Sequence, residues 1–185
     1  LGSQFVDPPD APATTYSAVS GYGDVAVFTD DFQTNTGWTT AVVGATAGQW
    51  QRGVPVNDPN WEYDPASDGD GSGQCYLTQN TLGNSDVDNG SVRLISPVFD
   101  MTPVNSRFSF KYFNNLNTPT VGDGLFVEVS SNGDAGPWTA VRSYTSDGGL
   151  SWYDDEIEAS QLTSLSIALT ANMKVRFTAS DVGTG

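Results

Sequence analysis

The chain has 185 residues, enough for one domain with a proper core, and carries 22 Asp+Glu against 7 Lys+Arg, a net charge of −15. So acidic a surface repels nucleic-acid phosphates and anionic lipid headgroups, which argues against nucleic acid and membrane as partners. Histidine is absent, which excludes Ser-His-Asp and Cys-His nucleophiles and imidazole metal ligands, and aromatic residues at 11% argue against a disordered acidic chain.

Residues 1–23 are rich in Pro, Ala, Ser and Thr, and Pro8, Pro9 and Pro12 forbid a helix and favour an extended arm. Phe5, Val6, Tyr16, Val19 and Tyr22 are too apolar for a pure linker, so the arm is expected to dock on something. The chain opens on Leu1 with no charged-then-apolar leader and reads as a mature or excised segment. No run of about 18 apolar residues marks a membrane span.

Residues 24–185 read as one β domain. Short strands are expected at 25–29, 38–43, 49–53, 74–78, 92–95, 107–113, 125–130, 138–144, 152–158, 164–169 and 174–179. Phe108, Phe110 and Tyr112 face one way and Ser109 and Lys111 the other, the alternation of a half-buried strand. No segment holds a 3.6-residue apolar stripe over three turns. The expected fold is all-β: a two-sheet antiparallel jelly-roll sandwich with an extended N-terminal arm.

Two acidic, glycine-rich loops interrupt this pattern, at 64–73 and 84–90. Asp68 and Asp70 in the first, and Asp86, Asp88 and Asn89 in the second, are oxygen ligands on alternate or adjacent positions. Carboxylates this crowded repel one another, a hard cation removes the repulsion, and Ca²⁺ takes such ligands from loops. The second loop lacks the closing bidentate Glu, so it is no EF-hand. Asp, Asn and Gly also dominate plain turns, which is the alternative reading. Asp30, Asp31 and Asp181 could complete a site if the sandwich brings its ends together.

Trp61 and Tyr63 lie beside the first acidic loop as candidate sugar-stacking aromatics, or as loop anchors. The single cysteine, Cys75, sits in an apolar run and reads as a buried structural thiol. Residues 145–152 fit the Asp-box pattern and 131–138 a looser version; the expected content of each is a tight hairpin, with Trp152 anchoring the outgoing strand. Glu156 and Glu158 share a strand face, as a glycosidase carboxylate pair would, but an acidic solvent-facing edge explains them as well.

The stretches 48–55, 71–78, 86–90, 94–100, 129–133 and 175–181, in that order, resemble the jelly-roll accessory domains of secreted bacterial proteins, including extracellular peptidases and large surface proteins. The resemblance implies a secreted or cell-surface, non-catalytic module, often calcium-bearing, whose partners are a parent multidomain chain or copies of itself. Carbohydrate binding is the second reading and glycoside hydrolysis the third. Such domains continue past an Ala-Ser-Asp-x-Gly run into a closing apolar strand, whereas this chain stops at Gly185. The expectation is that the sequence continues or the strand comes from elsewhere, with 14–27 of another copy as donor and Tyr16, Val19 and Tyr22 as plugs in a head-to-tail polymer; the alternative is a truncated C-terminus with the arm packed on its own domain.

Overall fold

A computed structural model describes residues 25–182; the arm residues Tyr16, Val19 and Tyr22 lie outside the described residues. In chain order the elements are β1 (Thr39–Val43), β2 (Trp50–Gly53), β3 (Cys75–Thr78), β4 (Gly90–Ile95), β5 (Arg107–Phe113), β6 (Gly124–Ser130), β7 (Thr139–Tyr144), β8 (Trp152–Glu158), a short helix α1 (Ala159–Ser164) and β9 (Lys174–Asp181).

One sheet has five antiparallel strands in the order β1-β4-β9-β6-β7. The facing layer consists of two separate antiparallel pairs, β2-β3 and β5-β8. Period-two alternation drives this layering. Val127, Val129 and Val175 of the large sheet point inward to meet Ile157 of β8, and Met101, Leu162 and Met173 close the same cluster. Phe110 of β5 packs edge-on against Phe177 of β9, with ring centroids 5.0 Å apart. At the other end the Trp50 indole N–H donates to the Val92 carbonyl at 3.2 Å, which ties β2 to the large sheet. The molecule is an antiparallel β-sandwich, as the strand pattern anticipates.

Three expectations need correction. Residues 25–29 alternate like a strand but are not assigned to one: no backbone among the described residues pairs with them, and Val25 and Val27 are 84% and 73% exposed. Residues 164–169 also form no strand. The Glu158 carboxylate and the Gln161 amide cap each other's backbone N–H groups and wind 159–164 into one helical turn, which seats Leu162 in the core at 0% exposure. Finally, the Asp-box at 145–152 is no hairpin, because β7 and β8 belong to different sheets, so this turn carries the chain across the sandwich. The looser version at 131–138 does join neighbouring antiparallel strands, β6 and β7.

Candidate metal-binding loops and aromatic pair

The first acidic loop is latched to the segment before β1. Ser72 is the latch: its hydroxyl lies 3.0 Å from the Asp31 carbonyl and 3.2 Å from Asp68 Oδ2, and it accepts from the Gln33 amide at 3.2 Å. Asp70 Oδ1 accepts from the Ser72 N–H at 2.9 Å. The Gly73 N–H, then the Asp70 carboxyl and Ser72, hold Asp68 down to about 2. The loop lies under Trp152, whose indole donates to the Ser67 carbonyl at 2.9 Å. A Cβ on Gly69 would stand 2.8 Å from that ring, so glycine is required there. The tryptophan of the Asp-box thus clamps an acidic loop.

The second loop lies against residues 46–48. The Thr46 N–H donates to the Asp88 carbonyl at 2.9 Å, and the Asn89 amide donates to the Thr46 hydroxyl at 3.1 Å. Asp86 turns inward, and its Oδ1 is buried with no hydrogen-bond partner. Burial first, then the neighbouring Asp88 and Asp181 charges, push its carboxyl above the ordinary range. Asp181 ends β9 opposite Gly90 and lies beside Asp123. Burial alone would raise Asp123, but N–H donors from Val182 at 2.9 Å and Thr120 at 2.6 Å hold it below its usual value.

The structure therefore places Asp68 with Asp70, and Asp86 with Asp88 and Asp181, in two neighbourhoods. Among the described residues no group of three or more Asp, Glu or Cys side chains is drawn to one point. Asp30 is engaged elsewhere: its carboxylate accepts from the Trp38 indole at 2.8 Å, the Phe32 N–H at 2.8 Å and the Thr36 hydroxyl. Asp123, which no sequence pattern singles out, is the carboxylate that holds the end of β9 in place. Its only signal is its position between Gly122 and Gly124.

Trp61 and Tyr63 touch edge-to-face, with centroids 4.9 Å apart. Trp61 is half-buried and its indole N–H has no acceptor, while Tyr63 is 39% exposed and its hydroxyl accepts from the Asn117 amide at 3.2 Å. Both line one wall of a large groove. Three of the four glutamates have structural partners. Glu156 pairs with Arg107 at 2.9 Å, Glu158 caps α1, and Glu128 makes a two-pronged ion pair with Arg176. Cys75 is buried on β3, and burial, reinforced by Asp68 and Asp70, pushes its thiol up to about 12, as an inert structural thiol requires.

No family model matches the chain, and no curated protein matches it. Among solved structures it is similar to the K1 cleaved adhesin domain of Lys-gingipain (Kgp) from Porphyromonas gingivalis W83, over 81% of this chain and 85% of that one, at 18% identity and a TM-score of 0.50. At that identity the likeness shows the fold.

Proposed function

We propose that this chain is a non-catalytic, calcium-stabilised β-sandwich module of a secreted or cell-surface protein, with a structural or assembly role. The observation that carries the reading is Asp86. A carboxylate oxygen buried without a partner, beside the carboxylates of Asp88 and Asp181, is costly unless a cation meets it. Asp86 would hold Ca²⁺ there, with Asp88 and Asp181 moving in from beside it to join it on the ion, and main-chain and water oxygens filling a shell of about six to eight ligands. Asp68 and Asp70 would hold a second ion with the Asp31 carbonyl. The absence of histidine and the structural engagement of Glu128, Glu156 and Glu158 support a non-catalytic role. The related fold in Porphyromonas belongs to an adhesin domain, which agrees with an exterior setting.

Millimolar Ca²⁺ at about 100 times its Kd should stabilise the fold by about 2.7 kcal/mol relative to chelator, read as a rise in Tm of several degrees. Asp86→Asn should behave oppositely in the two conditions. It removes a charge disfavoured by burial and by the neighbouring Asp88 and Asp181, so its Tm in chelator should rise by about 2–4 °C, while the calcium response falls at least by half. Identical melts in calcium and chelator for the unsubstituted chain would refute the reading.

Carbohydrate binding is a second reading, favoured by the unpartnered Trp61 indole beside the exposed Tyr63 ring. Under it, Tyr63→Ala abolishes polysaccharide pull-down and leaves the melt unchanged. A melt that falls instead assigns Tyr63 to anchoring its loop.

A further inference from the structure

The chain has seven Lys and Arg in all, and every one of them stands inside a β-strand. Arg52 is in β2, Arg93 in β4, Arg107 and Lys111 in β5, Arg142 in β7, and Lys174 and Arg176 in β9. In each case the next residue belongs to the same strand, so the peptide bond that follows the basic side chain is a bond within a strand. Residues 1–24 and 183–185 contain no Lys or Arg, so the rule covers the whole sequence. The segments between strands, 54–74 and 79–89 among them, carry no basic residue. Acidic residues follow no such rule. Aspartates crowd the loops, and of the four glutamates Glu128 lies in β6 and Glu156 and Glu158 in β8, but Glu62 stands exposed between β2 and β3.

Position decides what an endopeptidase can reach. Such an enzyme takes its substrate as an extended segment whose backbone pairs with the cleft, so a segment already paired in a sheet must first be released. Loop tips open at little cost, whereas core strands open only with the fold as a whole. The seven basic residues sit at the costly end. Arg93 lies in β4 between β1 and β9, and Arg176 in β9 between β4 and β6, so both edges of these strands are taken. Lys174 is opposite Ser130 of β6, Arg142 opposite Val127, and Arg52 opposite Tyr76. Arg107 and Lys111 are opposite Glu158 and Asp154 in the β5-β8 ladder. The side chains are held as well. A pocket that binds Lys or Arg would have to draw Arg107 from Glu156 at 2.9 Å, Arg142 from Asp155 at 2.9 Å and Lys174 from Asp134 at 2.8 Å. Arg52 would have to leave the Phe32 carbonyl, to which it donates at 2.7 Å.

We propose that this module persists whole among endopeptidases that cleave after Lys and Arg, the class with a carboxylate in its specificity pocket, and that its native loops are open only to enzymes of other specificity. The inference rests on the module reading above for the exterior setting in which such enzymes are met. The device itself is the sorting of basic residues into strands. A Lys/Arg-specific enzyme then finds no site in the native state and cleaves only molecules that have unfolded globally. For a domain of ordinary stability that route is at least about a thousandfold slower than nicking of a native loop.

The test uses the full chain, folded in calcium and incubated with trypsin or, separately, with a Glu-specific endopeptidase, the products being read by intact mass. The Glu-specific enzyme should cut once, after Glu62, while trypsin leaves the same chain whole. Glu62→Lys hands that same bond to trypsin, which should then cut it at least about a thousandfold faster than it consumes the unsubstituted chain. Val121→Arg, at a turn where the side chain is 98% exposed, should give a single tryptic cut after position 121. Two variants in separate loops are used because a substitution that disturbs the fold would bring cuts at the natural basic residues as well, which the masses distinguish. A nicked species cut after any of the seven natural Lys or Arg, with the remainder still folded, would overturn the proposal. So would two variants that trypsin cuts no faster than the unsubstituted chain, since loops as closed as strands leave the sorting nothing to protect. Prompt tryptic cleavage beside an intact calcium response discards this inference alone. A chain that melts identically in calcium and chelator yet stays whole in trypsin discards the calcium reading alone.

Discussion

Arg176→Ala should lower stability by about 3 kcal/mol at neutral pH, or about 6–12 °C in Tm. Arg176 is 9% exposed in the central strand β9, stacks over the Trp138 ring at 4.4 Å, and donates to Glu128 at 2.6 and 2.7 Å. Removing it leaves a carboxylate in the sheet with, among the described residues, only the Thr178 hydroxyl, at 2.9 Å, as a donor. Losing one partner of a buried pair costs about 3–5 kcal/mol, and the low end applies here because the Glu128 side chain keeps 20% exposure. The effect carries a pH signature. Burial pushes Glu128 up, but the Arg176 and Thr178 hydrogen bonds more than cancel it and hold the carboxyl below its ordinary 4.5. A depressed folded pKa contributes stability that is present above the unfolded value and lost as pH falls through the folded one. In the variant burial remains and both Arg176 contributions vanish, leaving only the Thr178 hydrogen bond and the Arg93 charge to lower it, so the carboxyl protonates at higher pH. The deficit should therefore be largest near pH 7 and shrink below about 4.5. Urea midpoints at pH 7 and 3.5 decide the matter. A deficit that does not change with pH would mean that lost packing on Trp138, not charge, dominates.

Gly48→Ala should cost more than about 3 kcal/mol, the sum of left-handed backbone strain and overpacking. Gly48 has φ +83°, and a Cβ there would lie 2.5 Å from Val87 Cα and 2.6 Å from the Asp86 carbonyl oxygen, atoms of a backbone held by its own hydrogen bonds. The strand-like contact between 46–48 and 86–88 aims Asp86 and Asp88, so the calcium response should fall together with stability. Gly83→Ala is the matched control. It has φ +79° with nothing within 4 Å of the added carbon, so only the backbone strain of about 1–2 kcal/mol remains. Equal losses in the two variants would show that the contact with Val87 relaxes freely.

Period two and β-branched or aromatic content were enough to read most of this sandwich. The bounds expected for β5 and β8 match those observed, because each strand has a partner of equal length whose side chains alternate in register. Residues 25–29 carry the same local signal and fail, since a strand is completed by a neighbour and periodicity is blind to neighbours. Residues 164–169 fail for a nearer cause. A reciprocal cap between Glu158 and Gln161 is worth more than the β propensity of Leu165 and Ile167, and Glu is an unusual residue to open such a box. The Asp-box was legible as a turn but not as a crossing between sheets, because turn chemistry fixes local backbone angles and sheet membership is decided by distant pairing. The acidic loops were legible as loops. That Asp68 and Asp70 separate from Asp86 and Asp88, and that Asp181 joins the latter, depends on β9 pairing with β4, which no local pattern encodes.

The ion pairs distribute charge unevenly over the molecule. Arg107, Lys111, Arg142, Lys174 and Arg176 are each tied to a carboxylate on a strand or its turn. The loops at 64–73 and 84–90, by contrast, carry five Asp and no Lys or Arg, so negative charge gathers there. A field of one sign reaches about 10 Å into solution at 0.1 M salt and about 3 Å at 1 M. Plain sodium chloride should thus stiffen those loops even where no divalent ion is present. Two such surfaces approaching each other should meet faster as ionic strength rises, the reverse of the salt dependence of partners steered together by opposite charge.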